Sequence, residues 1–120
     1  MLDALTMSDG RFIPAQGFGV FQIPAEQTAD AVAQAIEVGY RHIDTAQSYF
    51  NEETVGEGIR RSGIDRSELF VTTKVWLDNY GEDATYASVK ASLEKLGLEY
   101  VDLMLLHQPF NDVYGSWRAL

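Results

Sequence analysis

Three polar side chains stand at the ends of apolar segments, at Asp44, Lys74 and His107, and are separated by 30 residues (44 to 74) and 33 residues (74 to 107). Lys74 is the most unusual, because it lies within residues 70–76, whose β-branched and aromatic side chains predict a buried strand. A buried ammonium group costs free energy unless an anion neutralises it or chemistry requires it. Each separation is about one β/α unit, and polar groups at the carboxyl ends of successive parallel strands converge on one site. We therefore expect Asp44 to be the anion beside Lys74.

Tyr49 follows Asp44 by five residues, in a loop that can place its phenol over the same strand ends. A phenol is a weak acid at neutral pH, and a nearby cation that stabilises phenolate makes it a better proton donor. Lys74 would supply that cation, and His107 would donate a hydrogen bond to a carbonyl oxygen. The four residues predict a site that polarises a carbonyl group and delivers a proton to its oxygen. None of them is a hydride source, so a reduction would need a nicotinamide cofactor.

The composition is that of a globular protein and disfavours several classes of partner. The 120 residues are 46% hydrophobic and 22% charged, with a formal net charge of −9, which fits one domain with a core. Nucleic acids and anionic membrane surfaces bind basic patches, so neither is an expected partner. The absence of cysteine excludes disulfides and thiolate metal sites and fits a cytoplasmic location. Residues 1–5 lack the basic region of a signal peptide, and no apolar run approaches the ~18 residues of a membrane span.

The elements that must position these residues alternate between strand and helix. The Asp9–Gly10 pair predicts a tight hairpin turn near the N-terminus. The further predicted elements are a short strand at 17–21, a helix from Pro24 to about Val38, a strand at 40–44, a helix from Asn51 to Ser62, a strand at 69–75, a helix at about 83–96, a strand at 100–106 and the start of a helix at 113–120. This alternation predicts an α/β fold with a parallel sheet and right-handed crossovers.

Three details of this scheme depend on packing. The side chain of Asn51 is expected to cap the second helix. The third helix is expected to bury an apolar stripe formed by Ala84, Ala87, Leu93 and Leu96. The strand at 100–106 is almost continuously apolar, which is typical of a strand that is covered on both faces.

Three segments resemble motifs of one enzyme family. Residues 39–52 (GYRHIDTAQSYFNE) resemble the signature segment of the aldo-keto reductases. Residues 72–76 (TTKVW) resemble the lysine strand of that family, and residues 96–109 (LGLEYVDLMLLHQP) resemble its histidine strand. The resemblance covers essentially the whole chain and implies the N-terminal half of a TIM (β/α)8 barrel, with about four parallel strands and an N-terminal β-hairpin.

The resemblance also implies a role for each polar residue. Tyr49 would be the proton donor, Lys74 its activating partner and His107 the residue that orients the carbonyl. Asp44 would be the carboxylate paired with Lys74 and would also contact the nicotinamide ribose. Four further residues fall where the family lines its substrate pocket: Val20, Phe21, Phe50 and Trp76. The implied activity is an NADPH-dependent reduction of an aldehyde or ketone, a small-molecule carbonyl substrate, to an alcohol.

The length of the chain departs from the family. A complete barrel needs ~250 residues, so the resemblance implies that residues 1–120 form a single partial barrel domain that ends in its fourth helix. In the family, most contacts to NADPH come from the second half of the barrel. Two alternatives to a reductase therefore remain: an inactive half-barrel fragment, whose exposed edges would favour self-association, and a non-catalytic binding module.

Three other kinds of site have weaker support in the sequence. Residues 17–22 begin like a dinucleotide-binding fingerprint but lack its last glycine. His42 and His107 have no compact spacing of metal ligands around them, so no metal is expected, and His42 is expected to be packed and hydrogen-bonded in mid-strand. A hydrolase triad of Ser48, His107 and Asp44 lacks the glycine-flanked elbow that such a serine needs.

Overall fold

The computed structural model describes residues 3–120; Met1 and Leu2, which belong to the N-terminal stretch without a basic region, lie outside the described residues. The elements are β1 (Ala4–Thr6), β2 (Phe12–Pro14), β3 (Phe18–Gly19), α1 (Ala25–Glu37), β4 (His42–Asp44), α2 (Glu52–Ser62), β5 (Phe70–Val75), α3 (Glu82–Leu96), β6 (Leu103–Leu106) and α4 (Val113–Ala119). One-turn 3-10 helices lie at Gln47–Tyr49, Arg66–Glu68 and Leu77–Asn79. Within the described chain, no helix combines the length and apolar character that crossing a bilayer requires.

The strands form two sheets, the hairpin that Asp9–Gly10 predicts and the parallel sheet that the alternation predicts. β1 and β2 form an antiparallel hairpin, and β3, β4, β5 and β6 form a parallel sheet in chain order. In the register of the parallel sheet, Asp44 pairs with Gly19 and Thr72, and Lys74 pairs with Leu105. Asp44 and Lys74 therefore both lie at the end of the sheet that is formed by the carboxyl ends of the strands.

The two faces of the parallel sheet differ in character because side chains alternate along each strand. The face toward the helices carries the apolar core, which consists of Val20, Val32, Ile36, Ile43, Val55, Ile59, Leu69, Val71 and Leu96. The other face carries polar and aromatic side chains. There His42 Nε2 lies 2.9 Å from Thr72 Oγ1, and the His42 ring packs edge-on against Phe70 at 4.9 Å. His42 is thus packed and hydrogen-bonded, as expected from the sequence.

Helix α3 buries a polar face, so the predicted apolar stripe is wrong for its first half. Ala84 and Ala87 are exposed, whereas Thr85, Ser92 and Leu96 are buried. The hydroxyl groups are buried because they have partners: Thr85 Oγ1 donates to Asn79 O at 2.8 Å. Satisfied hydroxyls can lie in an interior without the cost of an unpaired polar group.

Strand β6 is shorter and less covered than the sequence predicts. It begins at Leu103, because the Asp102 carboxylate takes the place of a backbone acceptor and receives the amide of Val71 at 2.8 Å. Its four residues are half-buried or exposed, and Leu105 is 39% exposed. Within the described residues, the expectation of a strand covered on both faces is therefore wrong, because Leu105 is exposed and the other three residues of β6 are only partly buried.

Asn51 is the N-cap residue of α2, as predicted, but its side chain does not make the expected capping hydrogen bond. Its amide instead donates to Val20 O at 3.1 Å, and its carbonyl oxygen accepts from Thr45 Oγ1 at 3.1 Å. Asn51 is 3% exposed, so these bonds satisfy a buried amide. The residue ties the start of α2 to the ends of β3 and β4, next to Asp44.

Two glycines allow α2 to approach its neighbours closely. A Cβ added at Gly56 would lie 2.1 Å from Leu96 O in α3, and one added at Gly58 would lie 2.6 Å from Ala29 O in α1. Both contacts are with backbone atoms, which cannot rotate away. Glycine at these positions therefore sets the distance between the helices that cover the sheet.

Candidate active site

Lys74 and Asp44 form an ion pair at the ends of neighbouring strands β5 and β4. The Lys74 ammonium also donates to Thr45 O at 2.8 Å. The Lys74 side chain is 12% exposed and that of Asp44 39% exposed. The structure thus provides the anion that the sequence requires for this buried ammonium, and it leaves the carboxylate partly open to solvent.

Tyr49 contacts the same ammonium group. It is the last residue of the 3-10 helix Gln47–Tyr49, which follows β4. The Lys74 ammonium donates to the Tyr49 hydroxyl at 3.4 Å, and Nζ lies 5.0 Å from the centre of the phenol ring. Lys74 therefore contacts both a carboxylate and a phenol, and the cation can stabilise negative charge on either of them.

His107 follows β6 and completes the group of polar residues. Its backbone amide donates to Val75 O at 3.1 Å, which continues the ladder between β6 and β5. Its ring meets Tyr49 edge-on at 5.9 Å and Trp76 edge-on at 5.3 Å. The Nδ1 atom is buried and has no hydrogen-bond partner within residues 3–120, which leaves Nε2 as the nitrogen that can reach a ligand.

Burial and the nearby Lys74 ammonium favour the neutral form of His107. Burial lowers the pKa of His107 below its ordinary value, the Lys74 ammonium lowers it further, and Asp44 acts in the opposite direction. A histidine with a lowered pKa is neutral at pH 7 and carries one N–H donor. His107 is thus able to donate one hydrogen bond without bringing a second positive charge beside Lys74.

The residues predicted for the substrate pocket fall into two groups. Phe21 packs against Tyr49 with ring centres 5.0 Å apart and is 61% exposed, and Trp76 packs against His107. Val20, in contrast, is completely buried in the core between sheet and helices, so the structure does not support it as a pocket residue. Phe50 is 88% exposed and borders a groove that Lys95 of α3 also lines.

Within residues 3–120, no group of three or more His, Asp or Glu side chains is arranged to hold a metal ion.

A sequence model of the aldo/keto reductase family matches residues 16–120. The chain belongs to the aldo/keto reductase family.

Individual relatives and solved structures agree with this assignment. The chain is 52% identical over 118 residues to the morphine 6-dehydrogenase of Pseudomonas putida, an alignment that covers 96% of this chain and 40% of that protein. It matches the crystal structure of an aldo/keto reductase from Brucella melitensis with a TM-score of 0.96 and 43% identity, over 99% of this chain and 47% of the other.

A second solved structure, the Bombyx mori aldo-keto reductase in complex with NADP, matches with a TM-score of 0.93 and 36% identity, over 98% of this chain and 45% of the other. These matches confirm the predicted α/β fold, a parallel four-stranded part of a TIM barrel with an N-terminal hairpin. The chain spans about half the length of the relatives that it matches.

Sequence reasoning missed a polar network that lies behind the site. Its central residue is Gln47, whose side chain connects the loop that carries Tyr49 with the loop after β5 and with α3. The sequence around Gln47 does not indicate these hydrogen bonds, because the partners Trp76 and Ser92 are 29 and 45 positions away. Only the three-dimensional structure brings them together.

Glu52 is the second residue of the network and is 3% exposed. Its carboxylate accepts from Thr73 Oγ1 at 2.8 Å and from Ser92 Oγ at 3.2 Å. Burial raises the pKa of Glu52, while the two hydroxyl donors act in the opposite direction. This carboxylate joins α2, β5 and α3 behind the site, on the face of the sheet that is turned away from Lys74.

Proposed function

We propose that this chain carries the proton-delivering site of an NADPH-dependent reductase that converts an aldehyde or ketone to an alcohol. The observation that carries the proposal is the Lys74 ammonium, which is held between the Asp44 carboxylate and the Tyr49 hydroxyl. A buried cation in contact with a phenol favours proton release from that phenol. Family membership supports the same class of reaction, since the relatives are oxidoreductases.

Tyr49 and His107 act on the carbonyl oxygen in this proposal. His107 donates its Nε2–H to the oxygen and orients it, and the Tyr49 hydroxyl gives its proton to the same oxygen as the carbonyl carbon is reduced. Tyr49 is then a phenolate beside the Lys74 ammonium, which stabilises it until a proton returns from solvent. NADPH, when bound, would supply the hydride for the carbonyl carbon, and with the proton from Tyr49 the product would be an alcohol.

Asp44 is the residue of this chain that fits the cofactor. One oxygen of its carboxylate pairs with Lys74, and the partly exposed side chain leaves the other oxygen for a hydroxyl donor such as that of the nicotinamide ribose. The aldo/keto reductases use NADPH, and the silkworm relative is a complex with NADP. Asp44 thus orients Lys74 through one oxygen and would hold the cofactor through the other.

Aromatic side chains form the walls of the proposed substrate site. Phe21 and Trp76 lie beside Tyr49 and His107, so a carbonyl group that reaches both polar residues would have apolar surface on either side. Such a site suits a small carbonyl compound with an apolar substituent. Phe50 remains a predicted substrate contact on the far side of the Tyr49 loop.

Fluorescence titration with NADPH, followed by absorbance measurements of NADPH oxidation with an aldehyde, tests the proposal. NADPH binding is the first result to establish, because most NADPH contacts in the family come from the second half of the barrel. A chain that binds NADPH is expected to oxidise it only when the aldehyde is present. Lys74→Met is expected to lower kcat by about 100-fold or more, because general acid catalysis contributes about 100- to 10,000-fold. Absence of NADPH binding would contradict the activity proposed for this chain.

A second candidate function is association of the chain with itself as a single partial barrel domain, without catalysis. The large exposed side chains near the C-terminus favour it, since Tyr114 is 81% and Trp117 72% exposed, and the edge strand β6 offers unpaired backbone groups. A non-catalytic binding module has less support, because Asp44, Tyr49 and Lys74 are in contact. We further propose a cytoplasmic location, which the lack of cysteine favours.

A further inference from the structure

Both the oxygen and the nitrogen of the Gln47 side-chain amide form hydrogen bonds. Its Oε1 atom accepts from the Trp76 backbone amide at 2.9 Å and from Asn79 Nδ2 at 2.9 Å. Its Nε2 atom donates to Ser88 Oγ at 3.1 Å, to Ser88 O at 3.3 Å and to Ser92 Oγ at 3.1 Å. One side chain therefore joins three segments: its own loop, the start of the loop after β5, and helix α3.

The loop that Gln47 anchors has little regular structure of its own. Gln47 begins a 3-10 helix of one turn that ends at Tyr49. The backbone bonds of this turn run from Tyr49 N to Ala46 O at 3.1 Å and from Phe50 N to Gln47 O at 3.4 Å. Short 3-10 turns have poor hydrogen-bond geometry and are weak by themselves. The position of the Tyr49 phenol thus depends on what holds the turn in place.

The Gln47 amide also holds Trp76, the last of three rings (Tyr49, His107 and Trp76) that pack against one another in that order. Trp76 is held at its backbone amide by Gln47 Oε1, and its ring packs against His107 at 5.3 Å. The His107 ring packs against Tyr49 at 5.9 Å. Gln47 therefore begins the turn that carries Tyr49 and accepts a hydrogen bond from the backbone of Trp76. The His107 ring packs against both of these aromatic side chains.

We infer that Gln47 is a positioning residue that holds Tyr49, His107 and Trp76 in mutual register, although it touches neither substrate nor cofactor. The consequence for catalysis rests on the proposed carbonyl reduction. The geometric role does not, because the ring contacts exist without a ligand. A glutamine that only stabilised the loop would change the unfolding free energy of the chain and leave the ring contacts of the folded state unchanged.

Fluorescence of Trp76 reports these contacts directly. The chain has two tryptophans, so a Trp117→Phe background leaves Trp76 as the sole emitter. A protonated imidazole in contact with an indole quenches its emission, and acidification should therefore give a quenching step with a midpoint below the ordinary histidine value of about 6.5. A His107→Asn control lacks the step, which assigns it to His107.

Gln47→Met keeps the length of the side chain and removes every hydrogen bond of the amide. In the folded variant, the quenching step is expected to lose most of its amplitude, and its midpoint should move toward about 6.5 as the His107 ring becomes more solvated. The matched control is Gln34→Met, which makes the same change at an exposed position of α1 and should leave both values unchanged.

Gln47→Asn provides a second variant if circular dichroism shows that Gln47→Met does not fold. Its amide is one methylene shorter, so it can bond to α3 or to the Trp76 loop but not to both, and a partial loss of amplitude is expected. An unchanged step in a folded Gln47 variant overturns the inference. Because this readout needs neither cofactor nor turnover, failure of the proposed reductase activity would be seen separately. Where the chain does reduce an aldehyde, Gln47→Met should lower kcat more than it raises KM.

Discussion

The Lys74 ammonium determines the electrostatics of the site. It is paired with Asp44, contacts the Tyr49 hydroxyl and lies close enough to His107 to lower the pKa of that imidazole. One cation thus lies beside three polar residues of the site. Its effect on His107 can be measured without any ligand, since only two histidines are present in the chain.

Nuclear magnetic resonance titration of the two histidines tests this effect. Lys74→Met is expected to raise the pKa of His107, because a repelling charge is removed, and Asp44→Asn is expected to lower it, because an attracting charge is removed. Lys90→Met, on the exposed side of α3, is the control and should leave it unchanged. Shifts of the same sign in both site variants would contradict the arrangement of charges described above.

The lowered pKa values of the two histidines predict how the free energy of unfolding depends on pH. Burial is the main cause that lowers the pKa of His42 and of His107 in the folded chain. The unfolded chain therefore binds protons near pH 6.5 that the folded chain does not, and the free energy of unfolding should fall as pH decreases from about 6.5. Urea denaturation at several pH values measures this, and the double variant His42→Gln, His107→Gln should show a shallower decrease.

Glu52 changes the free energy of unfolding with pH in the direction opposite to that of the histidines. Because burial raises its pKa in the folded chain, its stabilising contribution is present below the unfolded value and is lost as pH rises through the folded value. Glu52→Gln, whose amide can still bond to Thr73 and Ser92, should therefore unfold at higher urea concentration than the parent at pH 8, with the difference closing toward pH 4. Glu53→Gln is the exposed control; the same gain in that variant would argue against a buried charge as the cause.

Among the elements, the helices and strands were predictable to within a few residues, and the packing of their side chains was not. Alternating patterns and glycine stops are local, so they located α1, α2 and β5 from the sequence. The buried hydroxyls of α3 could not be found in this way, since Thr85 and Ser92 look polar until their partners are known. The contact between Lys74 and Asp44 was predictable because barrel-like units bring successive strand ends together, whereas Gln47 makes bonds that no periodicity encodes.

The close approach of α2 and α3 makes Gly56 sensitive to substitution. Gly56→Ala would gain about 1 kcal/mol of helix propensity, but its Cβ would lie 2.1 Å from Leu96 O. Separation of the helices should outweigh that gain and cost about 1–3 kcal/mol of unfolding free energy. Gly19→Ala, where an added Cβ meets no atom within 4 Å, serves as the control in thermal denaturation. Equal or greater stability of Gly56→Ala would show that the helices can shift at little cost.

At the scale of the whole molecule, the exposed aromatic side chains of α4 predict that the chain associates with itself. Contiguous exposed apolar surface favours association, and Trp117 is 72% exposed there. We expect sedimentation velocity to show dimers or larger species that increase with concentration. Trp117→Gln should weaken association about tenfold or more, which corresponds to about 1.4 kcal/mol, whereas Tyr86→Gln on α3 should not. A monomer at all concentrations in both parent and variant would contradict this expectation.

The most direct test of the proposed reaction compares two tyrosines of the same chain. Tyr49→Phe removes the hydroxyl that contacts Lys74, and Tyr86→Phe removes one from an exposed position on α3. The measurement is the rate of aldehyde-dependent NADPH oxidation by the parent and by both variants. We predict that Tyr49→Phe loses about 100-fold or more, while Tyr86→Phe retains the parent rate. Equal rates in Tyr49→Phe and the parent, or no oxidation by the parent chain, would contradict the proposal.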